Sequence, residues 1–372
     1  MKIAILLTSL YTIPEITREL IHAPHELAFD LAAALVKKGH RVTLFTCSRQ
    51  ATPARIINPD LRSFYRRLKA SGLTALSFSQ QYRLAWQSYD QLADSELTAT
   101  AFRQAQIGQF DVLHHFMTNG QAMYYCDRIH APSLFTIHDP LDLTPQLQQQ
   151  LNFNRHCNFV SISRNQRRAN QYLHFVATVY NGINLKKFRF NTRGGENLIH
   201  FGRLLPKKGV HLALAAAKKA KQKIYLAGNA YDRNQPSSYF NRAIKPFLGD
   251  QARYLGYIGD PRKRSAFLGR AKAFLFPCSW EEPFGLAVIE ALACGTPVIA
   301  FGRGAIPEIM VDGQTGFVVK NESEMIRAIK KIDQIDRADC RRHVEKYFST
   351  QRMANNYEKV YQRLLNKKTS PV

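Results

Sequence analysis

The sequence predicts an α/β protein of two doubly wound domains in tandem, and three observations carry that expectation. Apolar runs of strand length alternate with stretches of helical periodicity along the whole chain. At 372 residues the chain exceeds one ordinary core and suits two such domains. The alternating series also starts twice, at Lys2 and at Asn197, with a turn-rich stretch between.

Residues 2–8 form a continuous apolar run, as expected of a strand buried on both faces of a parallel sheet. The same run is read as a strand rather than a signal peptide, because it is short, carries Thr8 and Ser9, and lacks a small-residue cleavage site. Residues 24–38 show helical spacing, start at Pro24 and stop at Gly39, and residues 41–46 supply the next strand. Together they make a right-handed βαβ unit. Residues 60–105 read as a long, largely helical insertion. Further strands are expected at 111–114, 133–138, 159–162 and 176–180. Residues 181–195, rich in Asn, Gly and Lys, read as a linker. Strands at 197–201, 223–227, 252–255, 272–276 and 298–300, with helices at 208–221 and 285–294, form the second domain, and a helical tail spans 322–365. The expected domains are 1–182, 183–345 and a C-terminal helix, 346–372, packing back on the first. Two Rossmann-like sheets imply a cleft between domains, where open α/β sheets bind ligands.

Composition narrows the class. A hydrophobic fraction of 45% is that of a globular protein, and no run of about eighteen apolar residues could span a bilayer. Six cysteines (Cys47, Cys126, Cys157, Cys278, Cys294 and Cys340) form neither a CxxC pair nor a zinc spacing, and are expected as free thiols in a reducing cytoplasm. The net charge of +24 suits polyanionic partners: nucleic acid, anionic lipid or phosphorylated substrates. Residues 61–69 (LRSFYRRLK) are basic and amphipathic, with Leu61, Phe64, Tyr65 and Leu68 on one helical face. Such a helix could hold the protein at the inner face of a membrane or simply pack on its own domain.

Two segments carry candidate chemistry. In residues 277–297, PCSWEEPFGLAVIEALACGTP, a loop leaves a strand and Gly285 opens a helix whose first amides lack intrahelical partners. Such a helix start suits a diphosphate. Glu282 at the loop mouth and Glu290 on the helix are acceptors suited to sugar and ribose hydroxyls, or else respectively a dipole partner and a solvated residue. In residues 202–209, GRLLPKKG, Arg203 offers a two-pronged phosphate donor and Lys208 a point charge at a helix start.

At these segments the chain resembles family 4 of the retaining GT-B glycosyltransferases. The resemblance covers the second domain through FGRLLPKKG and EEPFGLAVIEALACGTPVIAFGRGAIPEIMVDGQTGFVV, and extends more weakly through the first. Residues 180–184, YNGIN, resemble the interdomain hinge. The resemblance implies that Gly202, Arg203 and Lys208 meet the donor diphosphate and that Glu290 takes the ribose hydroxyls. It assigns the transferred sugar to Glu282 with the backbone of Phe284, Gly285 and Leu286. His138, after a first-domain strand, would contact the sugar as a catalytic residue, with His114 and His115 as weaker candidates for the acceptor. Arg203, Lys208 and Glu282 would share in catalysis. Relatives carry a Gly-Gly pair before the first helix, and here the stretch is LIHAPH, with His22 or His25 as substitutes.

There is no DxD triplet or HExxH, and like the family the protein is expected to need no metal or cofactor beyond its co-substrate. The expected reaction is retaining hexosyl transfer from a nucleoside-diphosphate sugar to an acceptor hydroxyl, in lipid-linked, glycan or cell-envelope synthesis. A UDP-sugar is favoured, with GDP-mannose as the alternative donor. Rival readings are a sugar-nucleotide-binding protein without catalysis and a nucleic-acid-binding protein, although the chain has no RRM, KH or zinc-finger signature.

Overall fold

The computed structural model describes residues 1–13, 23–73, 81–116, 120–140, 145–168, 170–232 and 235–369. They fall into two compact units, Met1–Tyr180 with Thr350–Val372, and Asn181–Ser349. Each is built on a parallel sheet with helices between most successive strands.

In unit 1 the strands are β1 (Lys2–Leu7), β2 (Arg41–Thr46), β3 (Arg55–Ile57), β4 (Val112–His115), β5 (Ser133–Ile137), β6 (Asn158–Ser161) and β7 (Phe175–Thr178). They pair in parallel in the order β3-β2-β1-β4-β5-β6-β7. β1 lies between two strands and under helices, so Ile3–Leu7 are fully buried, and the uninterrupted apolar run follows from that position. Helix α1 (Ala23–Lys37) makes the β1–β2 crossover. The short edge strand β3 was not anticipated by the sequence reading.

Helices α2 (Arg62–Ser71) and α3 (Arg83–Gln106) supply the helical insertion. The apolar face of α2 is used inside unit 1 and is not offered to a lipid surface. Phe64 is wholly buried, with its ring 5.7 Å from Trp86 and 5.1 Å from Tyr89, while Leu61, Tyr65 and Leu68 join the same core cluster. Sequence periodicity cannot tell a lipid-facing stripe from a core-facing one. Phe64→Ala is expected to destabilise unit 1 by about 3–5 kcal/mol, measured by urea unfolding.

His114 and His115 are not acceptor contacts. Neighbouring residues of a strand point to opposite faces, and both faces here are core. His115 stacks on Phe135 at 4.4 Å. His114 places Nδ1 2.7 Å from the Tyr361 hydroxyl and Nε2 2.7 Å from Thr136 Oγ1, which in turn meets the Tyr357 hydroxyl at 3.0 Å. Burial drives His114 well below the usual imidazole value and His115 down to about 3. An unfolded histidine protonates near pH 6.5, whereas these remain neutral in the folded state. Protons therefore bind the unfolded chain preferentially, and stability falls as pH drops below about 6.5, by roughly 1.4 kcal/mol per histidine per pH unit. Urea unfolding of unit 1 is expected to show a clearly lower midpoint at pH 5 than at pH 7. An unchanged midpoint would mean that the two rings accept protons in place.

Unit 2 contains β8 (Leu198–Phe201), β9 (Ile224–Ala227), a short antiparallel pair β10 (Tyr231–Asp232) and β11 (Gln235–Pro236), β12 (Ala252–Tyr254), β13 (Ala273–Phe276), β14 (Val298–Phe301) and β15 (Gly316–Val319). Its main sheet is ordered β12-β9-β8-β13-β14-β15. The direction of winding reverses between β8 and β13, which makes their carboxyl ends the topological switch point of the sheet.

Residues 181–195 are not a free linker but part of unit 2. Phe188 is buried, Arg189 N donates to Ser265 Oγ at 2.8 Å, and Arg337 Nε donates to Asn191 O at 2.8 Å. The polar composition that suggests a linker reflects hydrogen bonds made to distant residues. The C-terminal helix (Thr350–Thr369) groups with unit 1 and contributes Tyr357 and Tyr361 to its core.

All six cysteines are free thiols, with Cys126 Sγ and Cys157 Sγ 2.9 Å apart. Among the described residues no helix is long and apolar enough to cross a membrane.

Candidate functional site

The two segments singled out in the sequence leave adjacent strands at the switch point of unit 2. Residues 202–209 follow β8 and residues 277–285 follow β13. Backbone bonds hold these loops together, since Ser279 N donates to Lys207 O at 2.9 Å. After the second loop comes helix α4 (Leu286–Ala293).

Glu282 is at the centre, buried at 9% exposure. Lys208 Nζ donates to its Oε2 at 2.5 Å, Trp280 Nε1 at 2.8 Å and Cys278 Sγ at 3.4 Å. Among the described residues, every side-chain bond of Glu282 falls on Oε2, so Oε1 remains an available acceptor. Lys208 and Glu282, assigned in the sequence to opposite ends of a donor, are thus paired with each other. A buried carboxylate needs such compensation to remain charged.

Lys207 lies with Nζ 3.7 Å over the Trp280 ring, and Lys208 sits over the same ring at 5.1 Å. Partial burial and the nearby charges of Arg203 and Lys208 lower the Lys207 pKa. Arg203 itself is exposed. Three cations therefore gather beside one helix start, an arrangement that favours a polyanion and costs repulsion without one. Lys207 and Trp280 stand in the two segments singled out in the sequence, but their contact has no signal there beyond an aromatic residue two positions before Glu282.

Gly285 has φ +98° as the residue preceding α4, no side chain caps that helix, and its first amides have no intrahelical acceptor. Phe284 is buried and Leu286 half-buried. The loop is clamped from behind by Gly304 and Ala305. Gly304 N donates to Glu281 Oε2 at 2.9 Å and Ala305 N to Glu282 O at 2.9 Å.

Glu290 is not a solvated helix residue. It is 8% exposed, and the buried guanidinium of Arg264 lies 3.7 Å away. Gly202 adopts φ +139° at the end of β8.

In unit 1, His138 follows β5 and packs its ring on Phe116 at 4.6 Å. His25 is buried with Nε2 3.3 Å from Ser48 Oγ, a core position. His22 lies outside the described residues. Cys126, His156 and Cys157 bring ligand atoms within 4.8 Å of one another, a grouping that their sequence spacing did not reveal.

The Glycosyl transferases group 1 model matches residues 184–347, and the Glycosyltransferase Family 4 model matches residues 26–187. The chain is 33% identical over 150 residues to a glycogen synthase of Mycobacterium tuberculosis, covering 38% of this chain and 35% of that protein. It is 34% identical over 156 residues to a D-inositol 3-phosphate glycosyltransferase of Mycobacterium leprae, covering 39% of this chain and 36% of that one. The chain thus spans about a third of the length of these curated relatives.

Among solved structures, sucrose-phosphate synthase from Thermosynechococcus elongatus superposes with TM-score 0.73 at 19% identity, covering 98% of this chain and 99% of that one. Anabaena HepE in complex with UDP and glucose gives 0.65 at 16% identity, with both chains fully covered. These likenesses establish the fold. With two adjoining family models covering residues 26–347, the chain belongs to family 4 of the GT-B glycosyltransferases, the group 1 transferases.

Proposed function

We propose that this protein transfers a hexosyl group from a nucleoside-diphosphate sugar to an acceptor hydroxyl, with retention at the anomeric carbon and without a metal. The observation that carries this reading is Glu282, held through Oε2 by Lys208 and Trp280 with Oε1 available, beside three cations and an uncapped helix start. A sugar hydroxyl suits Oε1, and a diphosphate suits the cations and amides.

In the proposed reaction the acceptor oxygen bonds to the anomeric carbon as the carbon–diphosphate bond breaks. The departing nucleoside diphosphate takes the bonding pair, and its charge is balanced by Arg203, Lys207 and Lys208. The acceptor proton passes to a departing phosphate oxygen. No carboxylate is assigned as a covalent nucleophile, which favours attack from the leaving-group face. Cations and helix dipoles supply the stabilisation a metal would otherwise give. Glu290 is proposed for the ribose hydroxyls, which would displace or join its contact with Arg264. His138 enters through the family resemblance, which gives a histidine after this strand a role at the sugar.

A UDP-sugar is the favoured donor, supported by the Anabaena structure of this fold that holds UDP and glucose. The test is nucleotide release from a panel of UDP- and GDP-sugars, alone and with cell lipid extract. Slow release from one donor, quickened by extract, is expected. Tight nucleotide binding with no release under any condition would replace transfer by a binding function.

A further inference from the structure

We propose that unit 1 carries an anion site for a phosphate group, in the cavity beside β7, and hence that the acceptor is phosphorylated. The second clause rests on the transferase reading; the first stands on the cavity itself. The cavity has a volume of about 450 Å³ and is lined by Arg164, Arg167, Arg168, Gln171, Thr178 and Tyr180. Among the described residues the lining holds three guanidinium groups and no carboxylate.

The cavity is open, with Arg164, Arg168 and Gln171 exposed, but its arginines stand on a fixed framework. Residues Arg164–Arg168 form one short helical stretch directly after β6, and Thr178 ends β7, so the cavity opens at the carboxyl edge of the sheet. That edge is where open α/β sheets take ligands. Gln166, buried at 6% exposure, pins the stretch in place. It accepts from Ile162 N at 2.9 Å and donates to Ile137 O and Asp139 O, each at 2.9 Å. The cavity is therefore tied to the loop that bears His138.

Arg167 is held in position by its neighbours. Its guanidinium lies 5.2 Å from the Phe175 ring centre and reaches Thr178 Oγ1 and Phe175 O, each at 3.4 Å. Those long contacts leave it able to make shorter bonds to an anion. Arg363 of the C-terminal helix lies along β7, outside the lining, and donates to Val176 O at 3.5 Å. Guanidinium forks match the oxygen spacing of phosphate, and the Thr178 hydroxyl, bonded to Ser161 Oγ at 2.8 Å, helps to hold Arg167 at the cavity. The volume is that of a small-molecule site, enough for a phosphate with a sugar-sized group attached.

The test uses the full chain with saturating UDP, so that the cations of unit 2 are already engaged. Inorganic phosphate is titrated by calorimetry at fixed ionic strength into wild type and the Arg164→Gln/Arg168→Gln double variant. Both substituted residues are exposed, so the fold should be retained, checked by unchanged UDP affinity and thermal unfolding. We expect saturable phosphate binding that is weakened at least tenfold in the variant.

A second arm measures retention on phosphatidylcholine vesicles with and without phosphatidic acid. Retention that depends on phosphatidic acid and is lost in the variant identifies a lipid phosphate. Phosphate binding without vesicle retention identifies a soluble phosphorylated acceptor. Equal binding by wild type and variant in both arms, or none in either, overturns the site. If neither UDP nor GDP binds while phosphate binding still depends on these arginines, the transferase reading falls and the anion site stands.

Discussion

Lys208→Ala is expected to lower kcat/KM for the donor at least a hundredfold, and Arg203→Ala to lower it in the same direction. Lys208 is the cation paired with Glu282 at 2.5 Å, and both side chains are nearly buried. Truncating it leaves the carboxylate supported only by the Trp280 N–H and the Cys278 thiol. Removing one partner of a buried pair costs about 3–5 kcal/mol, because the other charge remains in place uncompensated. In the proposed reaction the same lysine also balances the departing diphosphate, and losing a preorganised electrostatic donor costs about 10²–10³ in rate.

The two contributions can be separated. Trp280→Phe keeps a ring beneath Lys207 while deleting one donor to Glu282, and should cost less than Lys208→Ala. Nucleotide release assays with each purified variant measure the effect. Turnover near wild type in both Lys208→Ala and Arg203→Ala would remove these residues from the donor site.

The parts of this site that were legible in the sequence are those set by local chemistry. An apolar strand followed by Gly202, Arg203 and Lys208 marks a cationic turn before a helix. Gly285 before an apolar helical stretch marks a second such turn. Strand order then brings the two turns side by side, because β8 pairs with β13. What stayed hidden depends on contacts between distant residues. The cation–ring contact of Lys207 with Trp280 joins loops more than seventy residues apart in sequence.

The apolar face of α2 was ambiguous because Trp86 and Tyr89, which cover it, belong to the next helix. Residues 181–195 looked like a linker because their partners, Arg337 and Arg341, lie about 150 residues downstream. His114 and His115 looked available because a strand-end histidine gives no sign of the helix that covers it. Tyr357 and Tyr361, near the opposite end of the chain, supply that cover for His114, while Phe102 of α3 lies against His115.

Gly304→Ala is expected to displace the Glu282 loop, destabilising unit 2 by about 3 kcal/mol and weakening nucleotide-sugar binding at least tenfold. Gly304 has φ +61°, where a β-carbon is disfavoured, and one built there would lie 2.3 Å from both Glu282 N and Glu282 O. Those are backbone atoms, so no rotamer change can relieve the overlap. The loop or the Gly304 turn has to move. Movement breaks the bonds from Gly304 N to Glu281 and from Ala305 N to Glu282 O, which fix the height of the Glu282 carboxylate beside Lys208.

Gly313→Ala provides the comparison. Its φ is +74°, nearly the same strain, yet a β-carbon there meets nothing within 4 Å. Backbone strain alone should cost about 1 kcal/mol and leave donor binding unchanged. Urea unfolding and calorimetric titration of both variants with the UDP-sugar that supports turnover separate the two effects. If Gly304→Ala behaves like Gly313→Ala in both measurements, the clamp does not position Glu282, and the loop must hold its geometry through Lys208 and Trp280 alone.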